Sequence, residues 1–295
     1  MQVGQWAELR GTVAMSDADL LRESARAFVT ARRRGVALDR FPGSLPETLA
    51  QAYHCQDAAL ALAGDRIAGW KVGRLSGSQA VRFGTHCLAG PILQSVCREL
   101  SGDERSTDVA VIPGGFAAVE AEILVRLGRD APEAQTHWSV AEAAELIDAV
   151  HAGIEIAGSP LESINDLGPQ AVISDFGNNM ALLIGPWIAR SLPADTHDRV
   201  VRTYVQGALV GQGRADTLVG GPLESVRWLL EHCARRGRAL LRGQWVSTGA
   251  LTGVHRIQVG QCARIEFSGA AALQCAFRSR ASQSEEPTAR VFPNA

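Results

Sequence analysis

Lysine is nearly missing from this chain: of its 29 basic residues only Lys71 is a lysine, and the other 28 are arginines. A guanidinium stays charged at any working pH, so among these basic residues only Lys71 could be desolvated and exchange a proton. A basic surplus is missing too. The formal net charge is −2 and the pI about 6.4, which weighs against binding to phosphate backbones or anionic lipid and favours a small-molecule partner. No stretch reaches the roughly 18 uninterrupted apolar residues of a membrane helix, and Met1-Gln2-Val3-Gly4-Gln5-Trp6 has no basic segment leading into an apolar one. A cytoplasmic protein with no nucleic-acid or membrane partner is expected. The six cysteines form no CxxC pair and no zinc-ligand spacing, so buried thiols are expected, with Cys262 and Cys275 as small core residues in alternating segments. The seven histidines form no HxH or HExxH pattern, which argues against a histidine-based metal site and leaves oxygen ligands as the alternative.

What is present is a core-forming chain of 295 residues, 46% hydrophobic, that should fold by itself. Ser16-Asp17-Ala18-Asp19 reads as a helix start, and the helix should end near Arg32-Arg33-Arg34-Gly35, where the arginines suit a helix C-terminus and Gly35 a left-handed cap. A second helix is expected from about Pro46 to Leu62. Ser139-Val140-Ala141-Glu142 is a capping box predicted to open a helix running to about His151, and Pro222 opens another closing at Arg235-Arg236-Gly237. A period of two predicts strands over Val119–Leu127, Ala171–Ile173, Trp245–Ser247, Arg264–Phe267 and Leu273–Phe277, so most sheet-forming material is expected after Gly115. The expected organisation is one catalytic domain over 1–278, helical to about residue 75 and a β-rich core from about 76. A tail over 279–295 lacks apolar periodicity and is expected to be disordered.

Lys71 lies in Ala68-Gly69-Trp70-Lys71-Val72-Gly73, an apolar stretch with glycines on both sides. A surface lysine could survive there by chance, but the setting suits a partly buried, functional amine. In Ala118-Val119-Glu120-Ala121-Glu122-Ile123 the alternation puts Glu120 and Glu122 on one strand face and the apolar residues on the other. Two such carboxylates either face solvent from an edge strand or share a cation. Glu155, inside Gly153-Ile154-Glu155-Ile156-Ala157, favours the cation, because an unpaired charge in an apolar run is costly. Oxygen-only ligation with open positions suits Mg²⁺ or Mn²⁺ better than Zn²⁺.

In this order, Gly69-Trp70-Lys71-Val72-Gly73, Val119-Glu120-Ala121-Glu122, Ile154-Glu155-Ile156, Val172-Ile173-Ser174-Asp175 and Val246-Ser247-Thr248-Gly249-Ala250-Leu251 resemble the 2-keto-4-pentenoate hydratase and 4-oxalocrotonate decarboxylase group of the fumarylacetoacetate hydrolase superfamily. The resemblance covers about Leu20 to Phe277. It implies an α/β (α+β) fold, a mixed, strongly bent β-roll with surrounding helices, and usually a homo-oligomer. It also implies that Glu120, Glu122 and Glu155 are metal ligands, that Lys71 is the active-site lysine and that Thr248-Gly249 belongs to the loop holding a 2-keto acid.

Two departures from the group's pattern bear on the chemistry. Asp175-Phe176-Gly177-Asn178 stands where its hydratases usually read Asp-Asn-Ala-Ser, which puts Asn178 in place of a serine, and an amide cannot relay a proton as a hydroxyl does. Cys87-Leu88-Ala89-Gly90 also lacks an acidic residue that hydratases tend to carry. The expected activity is a divalent-metal-dependent hydratase acting on a 2-keto or 2-hydroxydienoate-type acid, with Lys71, Asp175 and Asn178 as candidate catalytic residues. Three alternatives stand beside it: a decarboxylase, an acylpyruvate carbon–carbon hydrolase using His86 as base, and an inactive metal-binding partner subunit.

Overall fold

A computed structural model describes residues 16–75, 77–100, 106–190, 192 and 199–280. Helix α1 (Asp17–Arg34) begins at the Ser16 cap and ends at Gly35, which takes φ 64°. Helix α2 (Leu49–Ala63) is opened by a Thr48/Gln51 capping box three residues after the expected start. The two helices pack side by side, and α2 also packs against the short helical segment Pro169–Ser174.

Most sheet material follows Gly115, as expected, but four strands precede it: β1 (Ile67–Arg74), β2 (Cys87–Leu93), β3 (Cys97–Glu99) and β4 (Ser106–Val111). In β1 the glycines and the lone lysine break the apolar alternation that would have marked it as a strand. A short helix α3 (Gly77–Phe83) separates β1 from β2. The long strands β5 (Phe116–Leu127) and β6 (Ile147–Ser159) follow, then β7 (Asn179–Ala189), β8 (Val201–Val205), β9 (Ala208–Gly213), β10 (Trp245–Ser247), β11 (His255–Arg256), β12 (Cys262–Phe267) and β13 (Leu273–Ser279).

Two expectations are corrected. The Ser139 capping box forms, but helix α4 (Val140–Glu145) stops after six residues and Ile147 begins β6. Ile147, Val150, Ile154 and Ile156 are β-branched, and pairing along β5 buries them where a helix would expose half. Ala171–Ile173 belongs to a helix, α5 (Pro169–Ser174), not a strand, because Pro169 follows the left-handed Gly168 and starts a turn. Helix α6 (Gly221–Arg235) carries the expected proline near its start.

Among the described residues the strands form two sheets. One runs β2-β1-β10-β5-β6-β7-β3 with β11 on β5, and the other runs β4-β13-β12-β8-β9. Together with the helices they make the expected mixed β-roll. The main core lies between the sheets and includes Val119, Ala121, Ile123 and Val125 from β5 with Ile265, Phe267 and Phe277 from the second sheet. Cys275 is buried there, but Cys262 is exposed, because alternation along β12 turns Ala263, Ile265 and Phe267 inward and Cys262 outward. The six cysteines are free thiols. The expected tail lies outside the described residues apart from its first two.

One ion pair ties the helical layer to the sheet. Arg32, from the arginine run ending α1, donates to Asp175 through Nε at 2.5 Å and Nη2 at 2.9 Å, and to the carbonyls of Asn179 and Gly158 at 2.8 Å each. Asp175 is wholly buried. Breaking such a pair by removing one partner leaves an uncompensated charge and costs about 3–5 kcal/mol. Arg32→Met should therefore lower the unfolding free energy by an amount in that range, and Asp175→Asn in the same chain should recover much of it. A single-variant loss below about 1 kcal/mol, measured by equilibrium unfolding, would remove the pair from its structural role.

Candidate active site

The registration of β5 on β6 sets Glu120 directly across from Glu155 and Glu122 across from Gly153. Cross-strand neighbours lie about 5 Å apart at Cβ, so three carboxylates from two strands meet on one face of the sheet. Each offers an oxygen within 4.8 Å of the others. Their exposures are 6%, 1% and 0% for Glu120, Glu122 and Glu155. An edge strand with two solvent-facing glutamates is thereby excluded, since β5 is an inner strand and both side chains are buried.

Lys71 reaches the same place from β1, its Nζ 3.4 Å from Glu155 Oε1 and 5% exposed. Burial works against its charge, but attraction to Glu155, Glu120 and Glu122 outweighs this and raises its pKa. Burial pushes Glu120 up to about 7 despite Lys71, and lifts Glu122 well above the carboxylate range with help from Glu155 and Glu120. One ammonium faces three carboxylates. Asn179 Nδ2 donates to Glu155 Oε1 at 3.0 Å, while Ser247 Oγ and the Gly249 N–H donate to Glu122 Oε2 at 2.5 and 2.8 Å. Glu122 Oε1 and Glu155 Oε2 are buried with no hydrogen-bond partner. Carboxyl groups that cannot all ionise here without a further cation, with orphaned acceptor oxygens at the same point, are what a divalent ion would complete, and the all-oxygen donor set suits Mg²⁺ or Mn²⁺.

A cavity of about 460 Å³ opens beside these groups, lined among others by Lys71, Glu120, Leu88, Val172, Asn165 and Asn178. Asn178 is delivered by an uncommon backbone. Phe176, Gly177 and Asn178 follow one another at φ 56°, 63° and 55°, a left-handed turn that costs roughly 1–2 kcal/mol at each non-glycine residue. Packing over-determines the turn: a Cβ on Gly177 would meet Gly90 Cα at 2.6 Å, and one on Gly90 would meet the Phe176 carbonyl oxygen at 2.3 Å. The Asn178 N–H donates to the Asp175 carbonyl at 2.8 Å, so the Arg32 pair holds the base of the turn. Asn178 Oδ1 accepts from Lys71 at 3.3 Å, and its Nδ2 donates to Asn165 Oδ1 at 3.2 Å.

Lys71, Glu120, Glu122, Glu155 and Asn178 are thus brought together. The Gly249 backbone joins them through Glu122, whereas the Thr248 hydroxyl is committed to the Ile123 carbonyl at 2.9 Å. Asp175 does not line the cavity and is bound by Arg32. His86 is exposed and does not line it either. Asn165, Asn179, Ser247 and Arg32 went unread as site residues. Ser247 stood inside a recognised motif and Asn179 beside one, but a lone asparagine at 165 and an arginine in a helix-ending run carry no sequence signal.

A sequence profile described as fumarylacetoacetate (FAA) hydrolase C-terminal matches residues 102–278, more than half of the chain. The chain belongs to this family. The TodF product hydratase of Pseudomonas putida strain F1 is 28% identical over 261 residues, 87% of this chain and 95% of that protein. A 2-keto-4-pentenoate hydratase of Paraburkholderia xenovorans is 26% identical over 219 residues, 73% and 78% of the two chains. Among solved structures, 4-oxalocrotonate decarboxylase from Pseudomonas putida G7, complexed with magnesium and adipate, superposes with a TM-score of 0.73 at 21% identity, covering 90% of this chain and 99% of the other. Fumarylpyruvate hydrolase from Pseudomonas aeruginosa, in complex with Mn²⁺ and pyruvate, gives 0.53 at 16% identity over 73% and 91%. These structures share the fold of this family member.

The raised pKa of Glu120 has a measurable consequence. Without a divalent ion the folded protein holds the Glu120 proton up to about pH 7, whereas the unfolded chain releases it near 4.5. The folded state binds more protons within that window, so this group's contribution to stability falls as pH rises through it. Metal-free Glu120→Gln should match the parent most closely near pH 4.5 and gain on it steadily towards pH 7, by on the order of 3 kcal/mol at about 1.4 kcal/mol per tenfold change. A parent-to-variant difference that stays flat with pH, in urea unfolding, would show that Glu120 is not held protonated.

Proposed function

We propose that this chain is a divalent-metal-dependent lyase, a hydratase acting on a small 2-keto or 2-hydroxydienoate-type acid. The observation that carries the reading is the buried carboxylate triad with two orphaned oxygens, facing a cavity that also receives Lys71. The hydratases among its relatives support it. Glu120, Glu122 and Glu155 would hold the ion, Mg²⁺ or Mn²⁺. When bound, it supplies Lewis-acid charge that stabilises negative charge developing on a 2-keto acid.

The chain's own residues do the rest. Lys71 Nζ is the proton carrier beside the cavity, held in place by Glu155 and Asn178. It transfers a proton to or from the substrate carbon chain, or orients the substrate carboxylate. Asn178 stands where a serine would serve the group's hydratases, and its amide, fixed by Asn165, positions Lys71 and donates no proton of its own. The Ser247 hydroxyl and Gly249 N–H hold Glu122 Oε2, which fixes the carboxylate with Oε1 left without a partner. Leu88 and Val172 exclude bulk water along the cavity wall.

The hydrolase alternative loses support because its base, His86, is exposed and outside the cavity. Release of CO₂ without water addition would favour decarboxylation, and co-purification with an active relative would favour a partner-subunit role. The chain is further proposed to act as one catalytic domain, as a homo-oligomer in the cytoplasm; no helix among the described residues is long and apolar enough to cross a membrane.

Screening 2-hydroxydienoates and 2-keto acids with Mg²⁺ and Mn²⁺, followed by product analysis, tests the reading. Lys71→Arg keeps charge but cannot exchange a proton near neutrality, so turnover at saturation should fall at least roughly a hundredfold while metal binding survives. Glu122→Ala should abolish metal-dependent turnover and weaken metal binding, with the fold retained. Near-normal turnover in Lys71→Arg, or unchanged metal affinity in Glu122→Ala, would remove the corresponding residue from its role. A Lys71→Arg loss confined to KM would mean that the amine holds the carboxylate and moves no proton.

A further inference from the structure

A second cavity lies behind the turn that presents Asn178. It encloses about 120 Å³ and shares no lining residue with the catalytic cavity. The turn divides the two, with Asn178 on the catalytic side and Phe176 and Asn179 on this one. Val29, Leu93, Val96 and Met180 make much of its wall apolar. Its charged groups are three arginines, Arg32, Arg33 and Arg280, and one acid, Asp65.

Asp65 pairs with none of these cations, because its oxygens accept from the backbone N–H groups of Arg66 at 2.7 Å and Ser95 at 3.0 Å. Arg32 is spent on Asp175 and on backbone carbonyls, and Arg33 Nη2 donates to the Leu62 and Ala63 carbonyls at the end of α2, at 2.8 and 3.0 Å. Arg280 differs from both. Among the described residues its side chain has one polar contact, from Nη1 to Met180 Sδ at 4.0 Å, and Arg32 Nη1 meets the same weak acceptor at 3.9 Å. Two guanidinium groups thus flank one sulfur, while Asp175 is gripped by Arg32 alone. Burial, and then Arg32, work against the Arg280 charge, and no acidic group among the described residues supports it. A half-buried cation beside a like charge is best stabilised by an anion brought from outside.

We propose that this cavity is a second, non-catalytic anion site, in which Arg280 receives the carboxylate of a short-chain monocarboxylic acid and the apolar wall takes its alkyl end. It does not rest on the keto-acid reading. A carboxylate matches the planar guanidinium, and the apolar wall disfavours sulfate or phosphate, whose remaining oxygens would lose water there without gaining partners. Glu285 and Glu286, a few positions beyond Arg280 in the chain, carry the same group. The apolar wall favours the free acid, because a tethered glutamate must lead its polar backbone back out of the cavity.

The test titrates propionate, ¹³C-labelled at its carboxyl, into the Mg²⁺-saturated protein and reads binding by NMR, with propionamide at matched ionic strength as the neutral control. Propionate should bind and propionamide should not. Arg280→Met should weaken propionate at least roughly tenfold, the lower end for a hydrogen bond to a charged group. Ala63→Leu, which fills the cavity and keeps the cation, should do the same. If Arg280→Met leaves the affinity unchanged, the acid sits on the catalytic ion or elsewhere and the proposal fails. It fails too if sulfate binds as tightly as propionate, which would make Arg280 an unselective surface charge. A parent that takes up no propionate, or takes it up only once Glu285 and Glu286 are both replaced by glutamine, also overturns it, the second result placing the chain's own carboxylate in the cavity. Should Arg280→Met not fold, Ala63→Leu decides alone.

Discussion

Three carboxylates and one ammonium, closed off from water on one face of a sheet, form the constraint around which this molecule is arranged. Burial first, and then the neighbouring carboxylates, raise the pKa of Glu120 and Glu122, and Lys71 offsets only part of this at Glu120. Such a cluster persists because its surroundings are rigid. Glu120 and Glu122 come from an inner strand buried on both faces, Glu155 from the strand paired to it, and the opposite face of β5 is locked into the main core. The fold holds the acidic residues together, and a divalent cation would complete their charge and their orphaned oxygens.

Around that centre, each supporting element supplies a donor that the triad lacks. The Ser247-Thr248-Gly249 segment after β10 gives Glu122 a hydroxyl and a backbone N–H, and Asn179 at the start of β7 gives Glu155 an amide. The left-handed turn over Phe176–Asn178 presents Asn178 to Lys71. Its strain is tolerated because Gly90 leaves room for it and Arg32 fastens Asp175 at its base. Arg32 is therefore the link from the outer helical layer to the loop that carries Asn178. The buried aspartate of that loop serves as an anchor, which separates its role from that of Asn178 three residues later.

Several parts of this arrangement were legible in the chain itself. The lone lysine between glycines, the ExE strand and the isolated Glu155 each put a charge in an apolar setting, and burial of charge without a partner is costly enough to mark a site. Caps at Ser16, Gly35 and Pro222 marked helix ends because capping chemistry is local. Local signals also misled. The Ser139 capping box opened a helix, yet strand pairing of the following β-branched residues ended it after six residues. Ala171–Ile173 looked like a strand because three apolar residues cannot distinguish the two periods.

Sequence alone determined the residue types of the site and, through the order of its motifs, the family and β-roll, because periodicity, capping and buried charge are properties of neighbours along the chain. The tertiary structure alone decided which of those residues meet. Strand register placed Glu155 across from Glu120, the turn of the chain behind Gly90 aimed Asn178 at Lys71, and the α1 packing turned Asp175 away from the cavity and into the grip of Arg32. Arg74 belongs to the same class: its hydrogen bond to Ser225 on α6 joins residues 151 positions apart in the chain. Distances of that kind are set by long-range packing, which no local pattern encodes.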